Sequence, residues 1–172
     1  MDKLIFLDID GVVNTLMINT KPYSKEGLGS KSREGFYFDL CDITDDRVSN
    51  QQAVMWLNKL CKETNAKIVI SSCWRRFERD GHTTERCLRE TGLLPEIEVI
   101  GKTPYISNGC RGDEISAYLR SNYKNKDYKF VILDDDSDMG DLMNHLVLCS
   151  TDYGFNYPEY VKALKILENW FL

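Results

Sequence analysis

Asp8 and Asp10 stand two residues apart, directly after an apolar run, Leu4-Ile5-Phe6-Leu7, and directly before Gly11. A short apolar run bounded by glycine reads as a buried strand. In extended chain the i, i+2 spacing sends both carboxylates to one side. Two like charges that close call for a bound cation or a shared proton. A second apolar run, residues 130–133, is followed by Asp134-Asp135-Asp136, Ser137 and Asp138. Alone, an acidic run is a solvated loop. After a strongly apolar strand, and matched by Asp8 and Asp10, it reads as a site for a hard divalent cation, and magnesium prefers such carboxylate oxygens. A third run, residues 67–70, ends in Ser71-Ser72-Cys73-Trp74-Arg75-Arg76. A hydroxyl there can donate to a phosphate oxygen, helped by backbone N–H groups of the following turn and by forked arginine donors. The plainer alternative is a loop whose serine caps a helix.

These strand ends need a scaffold that brings them together. Apolar runs at residues 3–7, 67–70, 128–133 and 146–149 predict strands, and a shorter one at 96–100 predicts a fifth. Helical spacing of apolar residues predicts helices at 51–64, 83–90, 113–123 and 159–171. Strands alternating with helices give an α/β fold, a three-layer Rossmann-like parallel sheet with helices on both faces. In such sheets ligands bind at the carboxyl edge of the strands. Residues 13–50 break the rhythm and read as a flap-like excursion beside Asp8 and Asp10, carrying the aromatic run Phe36-Tyr37-Phe38.

Composition narrows the classes. The 172 residues fit one domain, 1–172, with the 13–50 insertion as its appendage. The net charge of -5 argues against a strongly basic nucleic-acid surface and leaves room for a local basic patch. The apolar run before Asp8 is too short for a signal-peptide core, and no stretch approaches the ~20 apolar residues of a membrane span. The six cysteines form no CxxC pair. The expectation is a cytoplasmic protein with reduced thiols and no membrane partner. His82 and His145 have no matching partner and receive no role.

Asp8-Ile9-Asp10-Gly11-Val12-Val13, the hydroxyl of Ser71 and the acidic run from Asp134, in that order, resemble the haloacid dehalogenase (HAD)-like hydrolase superfamily over residues 3–155. Residues 70–75, Gly101-Lys102-Thr103-Pro104 and Arg111-Gly112-Asp113-Glu114-Ile115 resemble its compact branch associated with RNA repair proteins.

The resemblance implies a magnesium-dependent phosphomonoester hydrolase. In it Asp8 is the nucleophile and forms an aspartyl phosphate, and Asp10 is the general acid and then the base. Asp8, Asp10, Asp134, Asp135 and Asp138 are the candidate metal contacts. Gly11, Ser71, Ser72, Arg75 and a lone cation, Arg111 or Lys102 with Arg111 favoured, would bind the phosphoryl group. No cap fits between Ser71 and Arg111, so an open site is expected. It suits nucleotides and nucleic-acid ends, with small metabolites or phosphoproteins as the alternative. The residues themselves, Trp74, Arg75, Arg76 and Arg79 beside the phosphate site with Phe36-Tyr37-Phe38 above it, suggest a clamp for a nucleotide, against the plainer reading of an aromatic triplet as core. Two other classes are a receiver-like module, whose acidic order is the reverse of this one, and a non-catalytic phosphate-binding domain.

Overall fold

The structure is a computed structural model that describes residues 1–15 and 50–168. In chain order its elements are β1 (Asp2–Leu7), α1 (Gln51–Thr64), β2 (Lys67–Ile70), α2 (Thr84–Glu90), β3 (Val99–Lys102), α3 (Arg111–Asn122), β4 (Tyr128–Asp134), β5 (Leu146–Leu148) and α4 (Tyr157–Glu168). Short 3-10 helices occupy Cys73–Arg76 and Gly140–His145. The strands form one sheet in the order β3-β2-β1-β4-β5, and each neighbouring pair is parallel.

The period of two along each strand builds two cores. Ile5, Leu7, Ile68, Ile70, Val131 and Leu133 face one way, against Leu57 and Leu60 of α1, Leu88 of α2 and Ala163 and Leu167 of α4. Leu4, Phe6, Val69, Phe130 and Ile132 face the other way, against Ile115, Tyr118 and Leu119 of α3. Helices thus cover both faces, the three-layer α/β architecture expected from the alternating pattern. The chain leaves β1 toward β2 and β3 and later returns toward β4 and β5, so the topological switch lies between β1 and β4.

Local chemistry sets the boundaries. Asn50 caps α1, its Oδ1 accepting from the Ala53 N–H at 3.1 Å. Thr83 caps α2 through the Arg86 N–H at 3.1 Å. The helix expected at 113–123 begins earlier, at Arg111, because Asp113 accepts from the Cys110 N–H at 3.0 Å and closes the first turn. The fifth strand, expected at 96–100, runs Val99–Lys102 instead. Ile97 is buried from a turn, its N–H bonded to Leu94 O at 3.1 Å, and so contributes apolar character without being a strand residue.

The excursion read at 13–50, with Phe36-Tyr37-Phe38, lies outside the described residues from 16 to 49, as does the end of the last predicted helix beyond 168. The two ends of the excursion meet, since the Asn50 N–H donates to Val13 O at 2.9 Å. No helix among the described residues is long and apolar enough to cross a membrane.

Candidate active site

Strand register brings three loops to one edge. Leu7 pairs with Leu133 on one side and with Ile70 on the other. The residues that follow, Asp8, Asp134 and Ser71, are therefore neighbours across adjacent strands, about 4.8 Å apart in the hydrogen-bonding direction. Two bonds extend that register past the strand ends: Asp8 N–H to Leu133 O at 3.0 Å and Ser71 N–H to Leu7 O at 2.9 Å. Asp8 and Asp134 share the strand parity of Phe6 and Ile132, which is the α3 face. That is where α3 begins, with Arg111.

Arg111 Nη1 donates to Asp8 Oδ1 at 3.1 Å and to Ser71 O at 2.6 Å, and it lies 3.2 Å from Asp134 Oδ2. Gly112 permits this approach, since a Cβ there would lie 2.1 Å from Met139 O. Burial works against the charge of Arg111, and the carboxylates of Asp8 and Asp134 more than offset it, so its guanidinium is held protonated more firmly than usual.

Ligand oxygens of Asp8, Asp134 and Asp135 lie within 4.8 Å of one another. Asp134 is fully buried, and its Oδ2 accepts no hydrogen bond. Burial first, and then the charge of Asp8, push its carboxyl well above the ordinary range. Asp135 is raised too, by burial and by Asp8 against the Thr151 hydrogen bond. A hard cation fits this donor set, because hard carboxylate oxygens are grouped at contact range and one is both buried and without a hydrogen bond. The side chain of Asp138 stands outside the group. It is exposed, and its Oδ2 caps α3 by accepting from the Arg111 N–H at 3.0 Å.

Asp10 has a different setting. Its Oδ2 accepts from Trp74 Nε1 at 2.8 Å and its Oδ1 from Asn14 Nδ2 at 2.9 Å. Burial raises its pKa, the two donors oppose that rise, and the charges of Asp8 and Asp135 reinforce it. The net direction is upward. Gly11 follows Asp10 and turns the chain at φ +72°.

The remaining candidates separate. Ser71 is buried with a hydroxyl that finds no partner, so the oxygen is available to a ligand. Ser72 is buried and caps the 3-10 helix, its Oγ near the Trp74 N–H at 3.4 Å. Lys102 is exposed and pairs with Glu78, whose other oxygen accepts from the Thr84 N–H at 2.9 Å. Arg75 is turned inward. Its five N–H donors go to Thr103 O at 2.9 Å, Ser71 O at 2.6 Å, Ser72 O, Pro104 O at 3.4 Å and Glu114 Oε2 at 2.6 Å. No donor remains for a phosphoryl oxygen. Arg75 thus braces the loops after β2 and β3 against α3 instead of joining the phosphate site.

Four contributors have roles that the sequence does not assign, Trp74 among them, which the sequence alone reads as part of a nucleotide clamp. Trp74 and Asn14 hold Asp10, Thr151 donates to Asp135 Oδ2 at 2.9 Å, and Glu114 anchors Arg75. Each is an ordinary residue made functional by a contact across the fold. The capping alternative for the serine loop is fulfilled by Ser72.

A family model described as the HAD domain in Swiss Army Knife RNA repair proteins matches residues 4–160. No curated protein and no solved structure matches the chain.

Proposed function

Because the chain belongs to the family of HAD domains found in Swiss Army Knife RNA repair proteins, we propose that this HAD-type hydrolase cleaves phosphomonoesters through an aspartyl phosphate on Asp8. The observation that carries the reading is the convergence of Asp8, Asp134 and Asp135 within 4.8 Å, beside Arg111. Asp8 Oδ attacks phosphorus while the bond from phosphorus to the leaving oxygen breaks. Asp10 gives its proton to that oxygen. Its raised pKa supports a protonated start, and its bonds to Trp74 and Asn14 hold it in place. Asp10 then takes a proton from the water that attacks the acyl phosphate, which restores Asp8 and frees phosphate.

In this reading Arg111, beside Asp8, and the Ser71 hydroxyl, which has no hydrogen-bond partner, bind the phosphoryl oxygens. Asp8, Asp134 and Asp135 would hold magnesium, which when bound neutralises charge between the nucleophile and the phosphate. As substrate class this reading takes RNA ends bearing a terminal phosphate, which suits a phosphomonoester hydrolase of a family found in RNA repair proteins.

Phosphate release from an aryl phosphate, and from oligoribonucleotides phosphorylated at either end, tests the reading. Turnover should require magnesium, stop in chelator and fall by several orders of magnitude in Asp8→Asn. Wild-type rates in that variant would end the assignment of Asp8. Full activity in excess chelator would remove the cation. Release from the aryl ester alone would leave the chemistry standing and overturn the RNA substrate.

A further inference from the structure

On the α3 face, the second half of α3, the turn after it and the start of β4 line a groove of about 430 Å³. It lies far from the carboxylates. Along α3 the step from Arg111 to Tyr123 is roughly 18 Å at ~1.5 Å per residue. Arg120, Lys124 and Lys126 line the groove and are exposed, and no described lining residue is acidic. That local charge runs against the net charge of -5 carried by the whole chain.

A row of rings lines the same groove. Tyr123 and Tyr128 have centroids 5.4 Å apart, Tyr128 and Phe130 6.1 Å, and Phe130 and His145 3.9 Å. Tyr128 and His145 are only half-buried and line the groove. His145 is fixed by stacking at 17° and by Nδ1 at 3.2 Å from Phe130 O. Lys126 Nζ lies 4.8 Å from the Tyr123 centroid. None of these groups takes part in the proposed hydrolysis.

Cations alone would hold any polyanion. Cations that share a groove with half-buried aromatic rings match an anion that also carries flat rings, since phosphates pair with Lys and Arg while bases stack on aromatic side chains. We propose that this groove is a second site that binds single-stranded nucleic acid, its phosphates on Arg120, Lys124 and Lys126 and a base against Tyr128 and His145. The proposal does not rest on the hydrolase reading, and either can fail alone.

The test is fluorescence anisotropy with a short oligouridylate bearing hydroxyls at both ends, which offers the carboxylate site no phosphomonoester. The native chain should bind it. The double variant Lys124→Glu, Lys126→Glu, altered only at exposed positions, should bind about tenfold more weakly or worse, with a shallower dependence on log salt. Its hydrolysis of a small aryl phosphate should be unchanged. Equal affinity in the double variant, or no binding by the native chain, overturns the site. Displacement of the oligonucleotide by inorganic polyphosphate of matched charge, as readily as by the unlabelled oligonucleotide, overturns the contact with a base.

Discussion

A Cβ built on Gly11 would stand 2.1 Å from Asp135 Oδ2, so the turn after β1 and the carboxylate after β4 share one space. The backbone there is also left-handed, at φ +72°. Gly11→Ala therefore carries two penalties. The conformation itself costs about 1–2 kcal/mol for a residue with a Cβ, and Asp135 must leave its place beside Asp8 and Asp134. Urea unfolding should show a loss of about that size, while magnesium-supported phosphate release in the still-folded protein should drop by a much larger factor. Native turnover at native magnesium demand would show that Asp135 does not need this position.

Trp74 Nε1 donates to Asp10 Oδ2 at 2.8 Å, and that bond favours the ionised acid. Trp74→Phe keeps an aromatic ring and removes the donor. The pKa of Asp10 should move further up, so the alkaline limb of the pH-rate profile, where a general acid loses its proton, should shift to higher pH. A hydrogen bond to a charged group is worth about 1.5–3 kcal/mol, so kcat should fall by about tenfold or more as Asp10 loses its orientation. An unmoved alkaline limb would detach Trp74 from the acid.

Much of this arrangement was readable in the residues. Asp8, Asp10 and the run from Asp134 sit at the ends of apolar runs because the buried middle of a parallel strand is almost continuously apolar and its polar residues gather at the ends. Register then brought Asp8, Ser71 and Asp134 together with no further information needed. Adjacent Arg75 and Arg76 look alike in one dimension. Only the packed fold turns the first toward Glu114 and leaves the second exposed over Tyr105, with its guanidinium 3.9 Å from the ring centroid. In sequence Arg111 is favoured over Lys102 only for its place before the helix that leads to the fourth strand, and the start of α3 beside the carboxylates separates the two. Ile97 misplaced the fifth strand because a core-filling residue in a turn has the same apolarity as one in a strand.

Arg75 and Glu114 form an ion pair at 2.6 Å with side chains only 6% and 9% exposed. Removing one partner of a buried pair leaves an uncompensated charge, commonly at about 3–5 kcal/mol. Glu114→Ala should fall at the lower end, near 3 kcal/mol in urea unfolding, because carbonyls of Ser71, Ser72, Thr103 and Pro104 still solvate the guanidinium. Replacing both residues with apolar ones of similar size, Arg75→Met with Glu114→Leu, should recover part of that loss. A double variant at least as unstable as the sum of the singles would show that the carbonyl bonds, and not the pair, hold these loops.

The pH dependence of stability without metal tests the carboxylate cluster directly. Asp134 has no exposed surface, and burial followed by repulsion from Asp8 raises its pKa from 3.8 to about 7, despite the opposing Arg111. The folded state therefore binds this proton more tightly than the unfolded state does. Its stabilisation is complete below about pH 4 and is lost as pH rises to about 7. Asp10 and Asp135 are shifted in the same direction and add to the trend. Magnesium reverses the sign, because it binds the ionised carboxylates and binds them better as pH rises. In chelator the Tm should fall across this window by about 2–4 °C for each kcal/mol lost. Added magnesium should remove the fall, and Asp134→Asn, neutral throughout, should flatten the metal-free slope. Parallel slopes for Asp134→Asn and the native chain in chelator would mean that Asp134 is ionised in the folded protein across the whole range, and the case for a cation at this edge would lose its electrostatic ground.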